Sequence, residues 1–396
     1  MPRLAFIAAI IIFGTGLVTF FTQHNQFDFT AQTTATSSPQ LTVQESKGPH
    51  DIENQKPLSN PPAIIKAIYA TGWSAGSEKR LTYLLQLIEK SELNAIVIDI
   101  KDYTGKISYN AQAELIKKYD AAEKRIPYIN KLIKRLHDAE IYVIGRVAVF
   151  QDQQLILKRP DLAVYSSSTD QVWRDRKQLG WADPTSEEVW AYNLAVAQDA
   201  VSHGFDEINF DYIRFPSDGN LRDVIYPHWN GTTLHKEVMR RFFAYLREHL
   251  PQAKISADLF GLVLLQNDDL GIGQYLENVL PYFDYISPMT YPSHYASGSF
   301  GFKNPADHPY EIIYKSVEKG LQRMEVYRTK ASTTPMAKLR PWFQDFDLGA
   351  IYTAPMIRKQ IQALDDVSST TQEKVAGWLL WDPSNNYTPE ALAPAE

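Results

Sequence analysis

The chain has 396 residues, 44% hydrophobic, 22% charged and 12% aromatic, with a formal net charge of −6 and no cysteine. That composition supports a large apolar core and excludes a fibrous or wholly disordered chain. The missing cysteine excludes disulfide frameworks, thiolate metal sites and cysteine nucleophiles, and the scattered Lys and Arg argue against nucleic acid as a partner.

From Leu4 to Phe21 the chain reads LAFIAAIIIFGTGLVTFF, an uncharged run close to the ~20 residues that cross a bilayer. The residues after it offer no small-residue cleavage pattern, which favours an uncleaved signal anchor over a signal peptide. Arg3 before the run favours an N-terminus inside. The expectation is a single-pass cell-membrane protein with its folded part extracytoplasmic, secreted if the run is cleaved. Thr, Gln, Ser, Asn and Pro dominate the next forty residues, which read as a flexible linker. The expected boundaries are 1–21 anchor, 22–62 linker and 63–396 folded domain.

Eight short β-branched runs follow, at Ile65–Thr71, Ala95–Asp99, Tyr142–Val149, Glu207–Phe215, Lys254–Phe260, Tyr285–Tyr291, Leu339–Phe346 and Gly377–Trp381. Segments of helical period alternate with them at Lys79–Lys90, Pro127–Asp138, Glu187–His203, Leu234–His249, Pro309–Tyr327 and Ala354–Asp365, and Thr185-Ser186 reads as a cap for the third. The pattern predicts an α/β fold, a (β/α)8 TIM barrel. An open doubly wound sheet is the alternative, but no G-x-G-x-x-G follows the first strand.

In such a barrel the chemistry gathers at the C-terminal strand ends. Asp99 and Asp102 follow the second strand, Asp258 the fifth, Asp345 the seventh and Asp382 the eighth; for Asp382 a turn or capping role competes evenly. The fourth strand places Glu207, Asn209 and Asp211 on one face by its period of two, with Ile208, Phe210 and Tyr212 on the other. The apolar face suits the surrounding helices, so the polar row points into the barrel. Asp211 lies nearest the rim and is the chemical candidate, whereas Glu207, ~13 Å lower, is the structural one. Arg146 and Arg214 are expected to pair with these acids. Trp73, Tyr103, Phe150, Trp181, Tyr212, Phe260, Tyr291, Trp342 and Trp381 all fall near strand ends, and rings beside carboxylates suit sugars.

Seven segments carry a resemblance: Ala67–Trp73, Val97–Asp102, Trp181–Thr185, Phe205–Pro216, Met289–Tyr295, Arg340–Phe346 and Trp378–Pro383. Together they resemble a glycoside hydrolase-like family of bacterial envelope proteins long carried as a domain of unknown function. The resemblance spans nearly all of Ala63 to Tyr387. It implies a barrel acting on a polysaccharide or oligosaccharide, with Asp211 as the carboxylate shared with related barrel glycosidases. The α-amylase-like barrels carry Arg two residues before that Asp and Glu after the fifth strand, where this chain has Asn209 and Asp258.

An Asp pair is chemically sufficient, because hydrolysis needs one protonated and one ionised carboxyl flanking the bond. The expected assignment is Asp211, which the resemblance marks, as nucleophile or base, and Asp258 as general acid. Asp99, Asp102, Asp345 and His294 then bind substrate or tune the pair, and Trp73, Tyr103, Arg146, Tyr212, Arg214, Tyr291, Trp342, Trp381 and Asp382 complete the substrate-binding set. No cofactor or metal is expected. Two other readings stand: a carbohydrate-binding or scaffold protein on a degenerate barrel, and a metal-dependent hydrolase, for which no H-x-H or H-E-x-x-H is present.

Overall fold

The computed structural model describes residues 50–331, 336–371 and 375–395. The apolar run 4–21 and the first part of the linker lie outside the described residues. Among the described residues no helix is long and apolar enough to cross a membrane.

The strands are β1 (Ile65–Ala70), β2 (Ala95–Lys101), β3 (Tyr142–Ala148), β4 (Glu207–Asp211), β5 (Lys254–Phe260), β6 (Tyr285–Met289), β7 (Lys338–Leu339 with Trp342–Gln344) and β8 (Gly377–Trp381). Each pairs in parallel with the next, and Ile65 of β1 lies opposite Gly377 of β8, so the sheet closes on itself. The eight-stranded parallel barrel expected from the alternation is therefore present.

Its details depart from the expected strands at three places. Proline lacks an N–H to donate, so β7 is interrupted at Arg340-Pro341, although Arg340 N–H still reaches Ile286 O at 2.9 Å. β4 stops at Asp211 instead of running to Phe215, because Tyr212 turns to φ +53°. In β2 a register shift falls between Asp99 and Lys101. That bulge sends Lys101 out of the barrel to a fully buried ion pair with Asp152 at 2.6 Å and a bond to Asn193 Oδ1 at 2.7 Å.

Helices Glu78–Glu89, Ile129–Asp138, Glu187–His203, His235–His249, Pro309–Ala331 and Ala354–Thr370 follow six of the strands, and after β5 comes only the short helix Leu276–Val279. Ile68, Ile98, Val143, Ile208 and Phe210 face these helices in the larger apolar layer. Ile65, Ala67, Tyr69, Val97, Ile144, Trp342 and Leu379 fill the barrel itself. The period-two reading of β4 is thus realised, its odd residues inside and its even residues outside.

The cap expected from Thr185-Ser186 is not made by those side chains. Ser186 occupies the N-cap without a side-chain bond, and Asp183 builds the turn by accepting the Thr185 N–H at 2.9 Å and hydroxyl at 2.7 Å. Helix Ile129–Asp138 takes its cap from far away in the chain. Asp51 accepts the N–H groups of Asn130 and Lys131, each at 3.1 Å, while Leu58 N–H bonds Asp206 Oδ1 at 2.5 Å. The last part of the expected linker is therefore tied along the barrel. Asp51→Ala is expected to cost about 1 kcal/mol, the usual loss for an N-cap, and to lower the thermal midpoint by a few degrees at most in calorimetry.

Candidate active site

Arg146 organises the mouth of the barrel. It lies on β3 opposite Asn209 of β4, with the guanidinium buried among acids from three strands. Nη1 donates to Asp99 Oδ1 at 2.5 Å and Nη2 to Asp211 Oδ2 at 2.5 Å, while Nε lies 3.8 Å from Asp258 Oδ2. Three neighbouring carboxylates share one cation, which holds the guanidinium charged far above any working pH. At the position two residues before Asp211, Asn209 lies opposite Arg146 of the neighbouring strand.

The surroundings of the acids divide them. Asp211 ends β4 on the Arg146 cation and accepts the N–H of Tyr212 at 2.5 Å, the residue held at φ +53°. A non-glycine residue in that conformation carries backbone strain of the kind that gathers at functional sites. Asp258 is 1% exposed, and its Oδ1 accepts Asn209 Nδ2 at 2.9 Å and Trp342 Nε1 at 2.8 Å. Burial, with the Asp211 charge adding to it, pushes Asp258 up to about 8. A group so placed is protonated at neutral pH. Asp99 also accepts the Tyr69 hydroxyl at 2.5 Å, and burial raises it from the usual carboxylate range. Arg146 reaches both Asp211 Oδ2 and Asp258 Oδ2, which keeps those two oxygens no more than about 9 Å apart, below the upper limit for paired glycosidase carboxyls.

A pocket of about 100 Å³ opens beside Asp211, lined among others by Tyr212, Arg214, Phe260, Tyr291 and His294. His294 is neutral there, because burial lowers it to about 4, and its Nδ1 meets Ser293 Oγ at 3.0 Å. Tyr291 packs edge-on against His294 and Phe346. Arg214 departs from expectation. Instead of pairing with the barrel acids, it donates to Phe215 O and Ser217 Oγ, because the backbone turn at Tyr212 directs it away from Asp211.

The other expected residues fall into two groups. Trp73, in the short helix Gly72–Gly76 after β1, and Tyr103, in the turn after β2, stand exposed, with the Arg125 guanidinium 5.3 Å from the Trp73 ring centre and 2.5 Å from Asp102. Trp381 stacks on Tyr69 with ring centres 3.9 Å apart and lies under Arg146. Trp342 is fully buried, so its place is behind Asp258, not on a free face. Asp345 binds the Thr388 N–H and hydroxyl at 2.9 and 2.8 Å, and burial pushes it up to about 6. Asp382 takes the turn role, accepting the N–H groups of Ser384 and Asn386 at 2.6 and 3.1 Å. Tyr69 was not foreseen, although Ile65, Ala67 and Tyr69 share a strand face by the same period that exposed Asp211. Among the described residues no cluster of three His, Cys, Asp or Glu has the arrangement of a metal site.

The Trp342 bond stabilises the charged form of Asp258 and so lowers its pKa. Trp342→Phe is expected to move the alkaline limb of the pH–activity profile upward. An unmoved or lowered limb would show that this bond does not tune an Asp258 on which activity depends.

A closed parallel barrel with convergent acids and aromatic rings at its C-terminal mouth is the architecture of barrel glycoside hydrolases. This chain belongs to the family described as "Putative glycosyl hydrolase domain", whose model matches residues 67–387. It is similar to a hypothetical protein from Ruminiclostridium thermocellum, with 37% identity over 52% of this chain and 98% of the other, at a TM-score of 0.45. The fold is that of the PgaB (BpsB) glycoside hydrolase domain from Bordetella bronchiseptica, with TM-score 0.58, 12% identity and coverage of 85% and 100%. It is also that of the α-galactosidase TtGalA from Thermus thermophilus, with TM-score 0.52, 15% identity and coverage of 85% and 61%. No curated protein sequence matches the chain.

Proposed function

We propose that the protein hydrolyses glycosidic bonds of an envelope or extracellular polysaccharide, with Asp258 as general acid and Asp211 as nucleophile or base. The observation that carries this reading is the division between two nearby acids: one buried and pushed up to about 8, the other in an ion pair with Arg146. Asp258 gives its proton to the leaving glycosidic oxygen while Asp211 attacks the anomeric carbon or draws a proton from water. Arg146 keeps a fixed positive charge against Asp211, and Asn209 and Trp342 fix the Asp258 carboxyl in place. The exposed Trp73 and Tyr103 extend the site outward as stacking surfaces for further sugars. The N-terminal run tethers the barrel to the outer face of the membrane, where such polymers lie.

The test is release of reducing ends from a panel of envelope and extracellular polysaccharides by the wild type, Asp211→Asn and Asp258→Asn. Cleavage lost in both variants, with circular dichroism unchanged, supports the assignment. Polysaccharides retained equally by all three proteins without cleavage would replace it with a binding or scaffold role.

A further inference from the structure

Arg214 is 8% exposed and lines the pocket beside Asp211. It lies among three rings, with its guanidinium carbon 4.7 Å from the centre of Phe260, 4.8 Å from Trp181 and 5.4 Å from Tyr212. Of its five N–H donors, those that bond belong to Nη1, which reaches Phe215 O at 3.2 Å and Ser217 Oγ at 3.0 Å. The Nε and Nη2 edge has no acceptor among the described residues, and no ion pair among them includes Arg214. The contrast with the two other deep arginines is sharp, for Arg146 and Arg340 both lie directly on carboxylates.

Burial costs the guanidinium solvation that ring faces replace only in part, and its unbonded edge opens on the pocket. Asp211 and Asp218 also line the pocket and, with Asp175, attract the guanidinium electrostatically, but none of the three bonds it, and Asp218 Oδ1 accepts the Arg176 N–H at 3.0 Å. The rings hold the guanidinium plane fixed, which leaves one edge with two parallel N–H vectors. That edge matches the two oxygens of a carboxylate better than a single hydroxyl. His294, neutral in the same pocket, brings no second fixed charge.

We propose that this pocket receives the carboxylate of an acidic sugar, so that the glycan recognised next to Asp211 carries hexuronic acid residues. The proposal deepens the hydrolase reading by naming its substrate class, and it is tested by binding so that the two can fail separately. The full chain carrying Asp258→Asn, purified in detergent, is titrated calorimetrically with glucuronate and galacturonate and with the neutral sugars glucose and galactose. Inorganic phosphate and sulfate serve as competitors.

At least one uronate is expected to bind tenfold or more tighter than its neutral counterpart. Arg214→Met should abolish that preference. Arg214→Lys, which keeps the charge without the fork, should retain part of it and shows whether loss in the first variant is specific. Equal binding of acidic and neutral sugars, or a preference that survives Arg214→Met, overturns the proposal even if the wild type cleaves a neutral glycan. Phosphate or sulfate displacing uronate at lower concentration than uronate itself also overturns it, in favour of an esterified sugar. Uronate binding through Arg214 with no glycan cleaved supports this inference while the hydrolase reading falls.

Discussion

Asp258→Asn is expected to lower glycan hydrolysis by ~10³-fold, the usual worth of a general acid, and at the same time to make the fold more stable at pH 8. The second effect follows from the first group's environment. Unfolded, the Asp258 carboxyl ionises near the ordinary aspartate value, whereas in the fold burial pushes it up to about 8. Between those values the native state holds a proton that the unfolded state has released, so the contribution of Asp258 to wild-type stability falls as pH rises from about 4 to about 8. Asparagine never carries the charge, and its amide oxygen can still accept from Asn209 and Trp342.

The difference in unfolding free energy between variant and wild type should therefore grow in the variant's favour from pH 5 to pH 8. Urea denaturation of both proteins at the two pH values reads it, and the remaining titrations cancel in the difference. A gap that is constant or shrinks would mean that Asp258 is ionised in the folded protein at neutral pH, and it could not then serve as the acid. Wild-type activity should decline on the alkaline side near pH 8 for the same reason.

The residues of this site were legible in unequal measure. The barrel was readable because buried parallel strands are short β-branched runs separated by amphipathic segments, and that pattern is local. Asp211 was readable from strand phase and position on β4. Arg146 was recognised as an ion-pair partner, but its choice of Asp99 and Asp211 depends on strands that meet only when the barrel closes. The failure of Arg214 to join them depends on one backbone torsion at Tyr212, a tyrosine that carries no sequence sign of a positive φ. Lys101 was given no role in the sequence, and a bulge in β2 turns it outward to Asp152. Trp342 read as a platform because it lies at a strand end, yet its ring turns inward to support Asp258. Strand order and phase survive in sequence; the partner of a buried polar group is set by the closure of the sheet.

Glu207, four residues below Asp211 on the same face of β4, should behave oppositely to the acids at the mouth. Its carboxylate is fully buried and takes a two-point contact from Arg340, with Nη1 at 3.1 Å, as well as Ser256 Oγ at 2.5 Å and Tyr142 Oη at 3.3 Å. Tyr142 and Ser256 come from β3 and β5 and Arg340 from the break within β7, so the cluster ties these neighbours to β4 below the mouth. Arg340→Met is expected to destabilise the protein by about 3–5 kcal/mol, because it leaves a buried carboxylate without its counter-charge. The double change Glu207→Gln with Arg340→Met removes both charges and should recover most of that loss.

At ~13 Å below the rim, neither change touches a sugar, so the folded fraction of each variant should keep the wild-type turnover. Equilibrium unfolding of the wild type, Arg340→Met, Glu207→Gln and the double variant closes the thermodynamic cycle. If the double variant is as unstable as Arg340→Met alone, the loss comes from packing of the long arginine side chain within the barrel, and the charge pair is incidental. If turnover per folded molecule falls with Glu207→Gln, the polar row of β4 is a single catalytic unit reaching to the bottom of the barrel. The expected result separates its two ends, with structure carried by Glu207 and chemistry by Asp211.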